Sequence, residues 1–206
     1  MYFIRFTLLL VLFSVSCTGI KKNIQSEIPT LRVLNYNIHH ANPPGEATKI
    51  DIQAIANEIN AVNPHIVALQ EVDVFTGRSG KELHQAEELG KLTGMNAYFF
   101  KSIDYDGGEY GLAILSKLPV TSTELIRLPT AEGTRGEPRI LAVTEINING
   151  KQLIFACTHL DAQRNDTNRM LQINEIDKYF STKPTAVPVI IAGDFNATPD
   201  SEVIKL

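Results

Sequence analysis

Asn149-Gly150 sits between two strand-forming runs, RILAVTEINI and KQLIFACTHL. The type I′ turn of a two-residue hairpin needs positive φ at both central positions, which Asn and Gly accept with little strain. The pair therefore predicts an antiparallel hairpin, and a hairpin excludes a purely parallel, doubly wound sheet. Before it, LRVLNYNI reads as a strand. TKIDIQAIANEINAVNP then reads as a helix, with Ile52, Ile55, Ala56 and Ile59 on one face. Thr48 and Asp51 suit a capping box, and Pro64 ends the helix. HIVALQ is a short apolar strand, and KELHQAEELGKLTG is a helix closed by Gly94. NAYFFKS, GLAILSK and TSTELIRL are further strands. After the hairpin, RNDTNRMLQINEIDKYF predicts a helix with Met170, Ile173, Ile176 and Phe180 inward, and VPVIIAGDF predicts a strand. This order predicts a layered α/β sandwich with mixed sheets. A chain of 206 residues, 44% of them hydrophobic, can fill the core of one such domain.

The first residues carry one Arg and an apolar run from Phe6 to Val15, too short for a comfortable membrane span. With Ser14-Val15-Ser16 before Cys17, the segment is similar to a bacterial lipoprotein signal. Residues 1–16 are expected to be a signal peptide, 17–30 a lipidated Cys17 followed by a tether, and 31–206 the folded domain. The protein is then expected to be exported and held at a membrane, as a monomer. Cys157, in the apolar run LIFACTH, reads as a small buried side chain. The net charge of −4 and the lack of a basic stretch argue against a stable nucleic-acid complex.

Four strand ends carry polar groups that a purely structural strand would avoid: Asn35 and Asn37, Gln70 and Glu71, His159 and Asp161, Asp194 and Asn196. Residues two apart on a strand share a face, so His159 with Asp161, and Asp194 with Asn196, are expected to project together into one cleft. Glu71, Asn37, Asp194 and Asn196 offer hard oxygens, which suit Mg²⁺ or Mn²⁺. A hard cation beside amides and a histidine is what phosphate-ester hydrolysis needs. His39-His40 is expected to make loop contacts, because neighbours on a strand point apart. Arg78 and Gln85 are candidates to line the cleft.

RVLNYNI, IVALQEVD, YGLAILSK, THLD and GDFNATPDS, in this order and spacing, resemble the endonuclease/exonuclease/phosphatase family, which has the deoxyribonuclease I-like fold. The resemblance implies a four-layered sandwich of two mixed sheets flanked by helices, divalent-metal dependence, and cleavage of phosphodiesters or phosphomonoesters. It implies metal-binding roles for Glu71 and Asn37, phosphate contact by His159, water orientation by Asp194, and phosphate or transition-state binding by Asn196. Tyr110 and Arg139 fall near substrate-side positions, and Asp161 is a further candidate there. Family members continue past the GDFN strand to a Ser-Asp-His type motif, so more strands, with an Asp and a His, are expected beyond Leu206. The expected activity is Mg²⁺-dependent hydrolysis of phosphate esters, phosphodiesters first, in nucleic acid, a phospholipid head group or a small molecule. The rival expectation is a non-catalytic, membrane-anchored binding lipoprotein that retains the fold.

Overall fold

The computed structural model describes residues 30–46 and 48–205. The predicted signal peptide and all but the last residue of the tether, Cys17 included, lie outside the described residues. No helix among the described residues is long and apolar enough to cross a membrane.

The hairpin forms as the sequence predicts. β6 (Ile140–Ile148) and β7 (Lys151–His159) pair antiparallel around Asn149 (φ 53) and Gly150 (φ 84). β5 (Val120–Arg127) pairs antiparallel with β6, and β8 (Val189–Asp194) joins β7 in parallel, giving a mixed sheet ordered β5-β6-β7-β8. A second mixed sheet is ordered β1-β2-β4-β3, from β1 (Val33–Asn37), β2 (Ile66–Val74), β3 (Asn96–Tyr105) and β4 (Gly108–Ser116).

The sheets stack face to face. Between them lie Ile66, Ala68, Leu112 and Ile114 from one sheet and Ile140, Ala142, Phe155 and Cys157 from the other. On the outer face of the first sheet pack α1 (Ile52–Val62) and α2 (Gln85–Thr93), through Ala56, Ile59, Ala86 and Leu89. On the outer face of the second pack α3 (Thr167–Ser181) and the short α4 (Glu202–Lys205), through Ile176 and Val203. The architecture is therefore the four-layered α/β sandwich expected. Each fully buried Leu, Ile or Phe contributes about 1.5–3 kcal/mol of transfer free energy.

Two local readings change. Asp51 alone caps α1, its carboxylate accepting the Ala54 N–H at 3.0 Å. α2 starts at Gln85 rather than Lys81, because the chain before it is spent on the end of β2. The Leu83 carbonyl accepts the Phe75 N–H, His84 bridges to Val74, and His84 Nδ1 caps the Glu87 N–H at 3.3 Å.

Candidate active site

β1, β2, β7 and β8 end on the same side of the sandwich. Their pairing puts Asn37 level with Gln70, and His159 level with Asp194. Gly193 makes this possible: a Cβ there would sit 2.3 Å from the Thr158 carbonyl oxygen on the neighbouring strand. Across the sheets, Gln70 Nε2 donates to Asn35 Oδ1 (2.9 Å) and to the Cys157 thiol (3.2 Å), and Asn35 Nδ2 donates to the Gly193 carbonyl (3.0 Å). These polar ties join both sheets beneath an open cleft of about 610 Å³ lined by Asn35, Asn37, Gln70, Asp194 and Asn196. Cys157 is fully buried, and burial pushes its thiol up to about 12, so it stays a neutral packing group.

Glu71 reaches the cleft through a β-bulge. The β2–β4 register shifts between Leu69 and Val72, and Glu71 adopts φ 59 within the shift. A left-handed non-glycine residue on a strand is strained, and bulges of this kind re-aim side chains beside functional sites. Asn37 then ties two carboxylates together. Its Nδ2 donates to Glu71 Oε1 at 2.9 Å and to Asp194 Oδ2 at 3.0 Å, while its Oδ1 accepts the His39 N–H at 3.1 Å. Asn37 thus turns N–H groups, not its oxygen, toward the acids.

Asp194 also accepts the Asn196 N–H through Oδ1 at 3.0 Å. Burial alone would raise its pKa, but the hydrogen bonds from Asn37 and Asn196, with His159 and Arg139 nearby, hold it below the usual value. Asn196, left-handed at φ 47, donates Nδ2 to the Leu160 carbonyl at 2.9 Å. His159 is buried, with Nε2 3.9 Å from Asp194 Oδ2 and Nδ1 lacking a hydrogen-bond partner. Desolvation first, and the Arg139 charge second, lower its pKa to about 4, so the ring is neutral at pH 7. Arg139, Tyr110 and His159 line one small void behind the cleft. Arg139 is buried and pairs with Glu137 at 2.8 Å. Burial, then the charges of Glu71 and Glu137, raise the Tyr110 pKa, so the phenol keeps its proton.

Asp161 is the residue the structure does not bring in. β7 ends at His159, so the two-residue alternation that would align the pair stops there. Asp161 turns into the following loop, fully buried, where its Oδ1 accepts the Gln163 N–H at 2.8 Å and its N–H donates to Gln172 Oε1 at 2.9 Å.

Two features were missed from the sequence. Asp73 is completely buried and accepts from Arg78 (2.7 and 2.8 Å), Thr76 (2.8 Å) and Ser79 (2.6 Å). Arg78 in turn lies over the Tyr105 ring at 4.3 Å, beside Tyr110. The signal was the second acid of LQEVD. The other is a tight turn at His39–Ala41, whose three residues have φ of 45, 45 and 59. Adjacent residues there are not on a strand, and the two imidazoles lie face-tilted with centroids 4.5 Å apart. Gln85, a candidate to line the cleft, supports this turn instead: its Nε2 donates to the His40 carbonyl at 2.7 Å and its Oε1 accepts the Asp73 N–H.

Residues 34–206 match the model of the Endonuclease/Exonuclease/phosphatase family. The chain belongs to that family. Its members are phosphoesterases and nucleases, generally dependent on divalent metal. The chain is similar to Nocturnin of Rattus norvegicus, 26% identical over 212 residues, covering 90% of this chain and 48% of that protein. It therefore spans about half the length of this relative. It is also similar to Tyrosyl-DNA phosphodiesterase 2 of Gallus gallus, 35% identical over 101 residues, covering 47% of this chain and 26% of that protein. The fold matches the crystal structure of an endonuclease/exonuclease/phosphatase from Beutenbergia cavernae with a TM-score of 0.69, at 23% identity over 82% of this chain and 48% of that one.

Proposed function

We propose that this family member is a divalent-metal-dependent hydrolase of phosphate esters, with phosphodiesters as its first substrates. The observation that supports this most is the bridge made by Asn37 between Glu71 and Asp194, with His159 3.9 Å from the same Asp194 oxygen. Two carboxylates held together by one amide, next to a buried neutral imidazole, suit a reaction in which negative charge grows on a phosphoryl group.

The donor set fits a hard cation. Glu71 offers a carboxylate on a fixed bulge at the mouth of the cleft, and among the described residues no thiolate competes there. Glu71 would hold Mg²⁺ or Mn²⁺, with water and substrate oxygens completing the shell, and the bound cation supplies charge neutralisation and Lewis-acid polarisation of the phosphate. Asn37 positions both carboxylates through Nδ2, and its Oδ1, which accepts the His39 N–H with one lone pair, keeps a second lone pair for the cation.

Asp194 stays ionised at neutral pH and accepts a hydrogen bond from the attacking water, aligning it with phosphorus. In the tautomer with hydrogen on Nε2, His159 donates to a non-bridging phosphoryl oxygen. Asn196 keeps one amide hydrogen on Leu160 and offers the other to phosphate. Arg139 adds fixed positive charge, and the protonated Tyr110 adds a donor from the same side. The relative named a phosphodiesterase favours the diester over the monoester.

The N-terminal sequence supports placing this activity at a membrane, through Cys17, on an exported lipoprotein.

The test compares the full-length protein on bis(para-nitrophenyl) phosphate and para-nitrophenyl phosphate, with Mg²⁺ or Mn²⁺ and after chelation. Faster diester turnover that vanishes on chelation and falls sharply in Glu71→Gln supports the reading. Turnover indifferent to chelation and to Glu71→Gln overturns it.

A further inference from the structure

We propose that His39, His40 and Glu71 form a second cation position, beside the cleft, that takes a borderline transition metal such as Co²⁺, Mn²⁺ or Zn²⁺ in preference to Mg²⁺. One ligand atom from each of the three residues lies within 4.8 Å of the others. Ligands around one such ion at about 2.1 Å can be at most about 4.2 Å apart. The cluster therefore closes by a small swing of the exposed His39 ring, which gives up only a 3.5 Å contact between its Nδ1 and the Asn42 carbonyl.

The backbone holds this arrangement open. His39, His40 and Ala41 are all left-handed, and so is Glu71. L-residues avoid that region singly, and runs of them are rarer still, so such strain concentrates where a geometry is needed. Here it turns two consecutive imidazoles to the same side, which a strand could not do. The turn is anchored from both directions: the His39 N–H donates to Asn37 Oδ1, and the His40 carbonyl accepts from Gln85 Nε2.

The His40 ring supplies an independent sign. Its Nδ1 is buried and has no hydrogen-bond partner. A buried ring nitrogen without a partner is costly, and such groups in native structures call for an explanation such as an ion. Two imidazoles with one carboxylate are a donor set for Zn²⁺, Co²⁺ or Mn²⁺, whereas Mg²⁺ keeps oxygen ligands and its own waters. Asn37 fixes Glu71 Oε1 on the cleft side. Glu71 is thus shared between the cation of the cleft and the imidazole side. The inference rests on the proposed function only through that shared residue, and it is read by binding, not by turnover.

The experiment strips the full-length protein with chelator and titrates Co²⁺, following heat and the visible absorption of the ion. His39→Asn and His40→Asn are the test variants, since Asn tolerates the left-handed backbone that Ala would strain. Circular dichroism monitors folding. The wild-type protein is expected to bind Co²⁺ with a spectrum showing nitrogen ligation. Each variant is expected to lose roughly tenfold or more in Co²⁺ affinity, with a changed spectrum and a wild-type fold. Unchanged Co²⁺ affinity and spectrum in both folded variants overturn the site. A wild-type protein that binds Mg²⁺ as tightly as Co²⁺ overturns the selectivity. Failure of the wild type to hydrolyse any phosphate ester, with histidine-dependent Co²⁺ binding intact, overturns the proposed function and supports this site.

Discussion

His159 and Asp194 end adjacent parallel strands as register partners, with Nε2 3.9 Å from Oδ2. The contact is too long for a hydrogen bond. It leaves His159 buried and neutral rather than ion-paired, because desolvation and the Arg139 charge outweigh the pull of Asp194 and Glu71.

That balance predicts a pH effect on stability. The unfolded histidine protonates near 6.5 and the folded one near 4, so the unfolded chain takes up the proton first as pH falls. Stability from this group is complete above pH 6.5, declines between about 6.5 and 4, and levels off below. The full loss is about 3 kcal/mol. His40 and His65 are lowered in the same direction, so the measurement is a difference. Urea midpoints of wild type and His159→Gln should converge as pH drops from 7.5 to 4.5. Parallel curves would show that His159 does not titrate this way.

Asp194→Asn should lower turnover by about 10² to 10⁴. The amide can still accept the Asn196 N–H, so the loop keeps its shape. The amide's second position is then an NH2 facing Asn37 Nδ2, however, so the Asn37 hydrogen bond is lost along with the charge that orients water. The half-buried Asn37 amide keeps its hydrogen bond to Glu71, so the stability cost should be about 1 kcal/mol. Steady-state kinetics at saturating Mg²⁺, with a urea melt alongside, separate the two effects. A variant with wild-type kcat would remove Asp194 from the mechanism.

Most of the fold could be read from the sequence, because periodicity and turn chemistry agreed. Asn149-Gly150 fixed the hairpin, and Ala56 with Ile59 fixed the buried face of α1. The strand-end polar residues were legible because they interrupt otherwise apolar buried strands, although Asn35 and Gln70 tie the sheets together and Asp161 holds a loop. What the sequence hid was conformation that breaks strand periodicity. Glu71 faces the cleft only through a bulge, Asp161 misses it because β7 stops two residues earlier, and His39-His40 share a side only because their turn is left-handed. The Asp73–Arg78 pair was hidden for another reason: five residues apart, across a loop, no repeat pattern links them.

Arg78→Met should destabilise the protein by about 3–5 kcal/mol, the usual effect of stripping a buried carboxylate of its partner. Asp73 has no exposure, and although burial alone would raise its pKa, Arg78, Ser79 and Thr76 hold it ionised. Arg78→Met with Asp73→Asn should recover part of the loss, since no charge is then stranded. Guanidinium melts of the two single variants and the double variant read this coupling. Additive losses would mean the ion pair is not what holds the loop.

Cys17→Ser should move the protein from the membrane fraction to the soluble fraction, because a serine hydroxyl cannot form the thioether to lipid. Fractionation after labelling with a radioactive fatty acid checks both localisation and modification. A variant as tightly bound as wild type, or a wild type without label, would rule out lipid attachment there.

Asn37→Asp keeps the shape of the side chain but replaces two N–H donors with a third carboxyl group. In the native site Asn37 Nδ2 donates to Glu71 and Asp194 at 2.9 and 3.0 Å, so the substitution sets oxygen against oxygen at those distances. Like charges this close cannot all ionise, and one proton is retained by the cluster well above the ordinary carboxyl range. The unfolded variant releases that proton near pH 4, whereas the folded variant holds it to higher pH. By linkage, the variant is destabilised relative to wild type as pH rises from about 4 toward neutrality, and the two draw together at lower pH. A divalent cation neutralises the excess charge, so added Mn²⁺ or Mg²⁺ should restore stability to the variant more than it stabilises wild type. Thermal melts at pH 4.5 and pH 7.5, each with chelator and with saturating metal, give the four values needed. A variant whose deficit is the same at both pH values and unaffected by metal would show that Asn37 acts by packing alone, and that its hydrogen bonds do not govern the charge of the site.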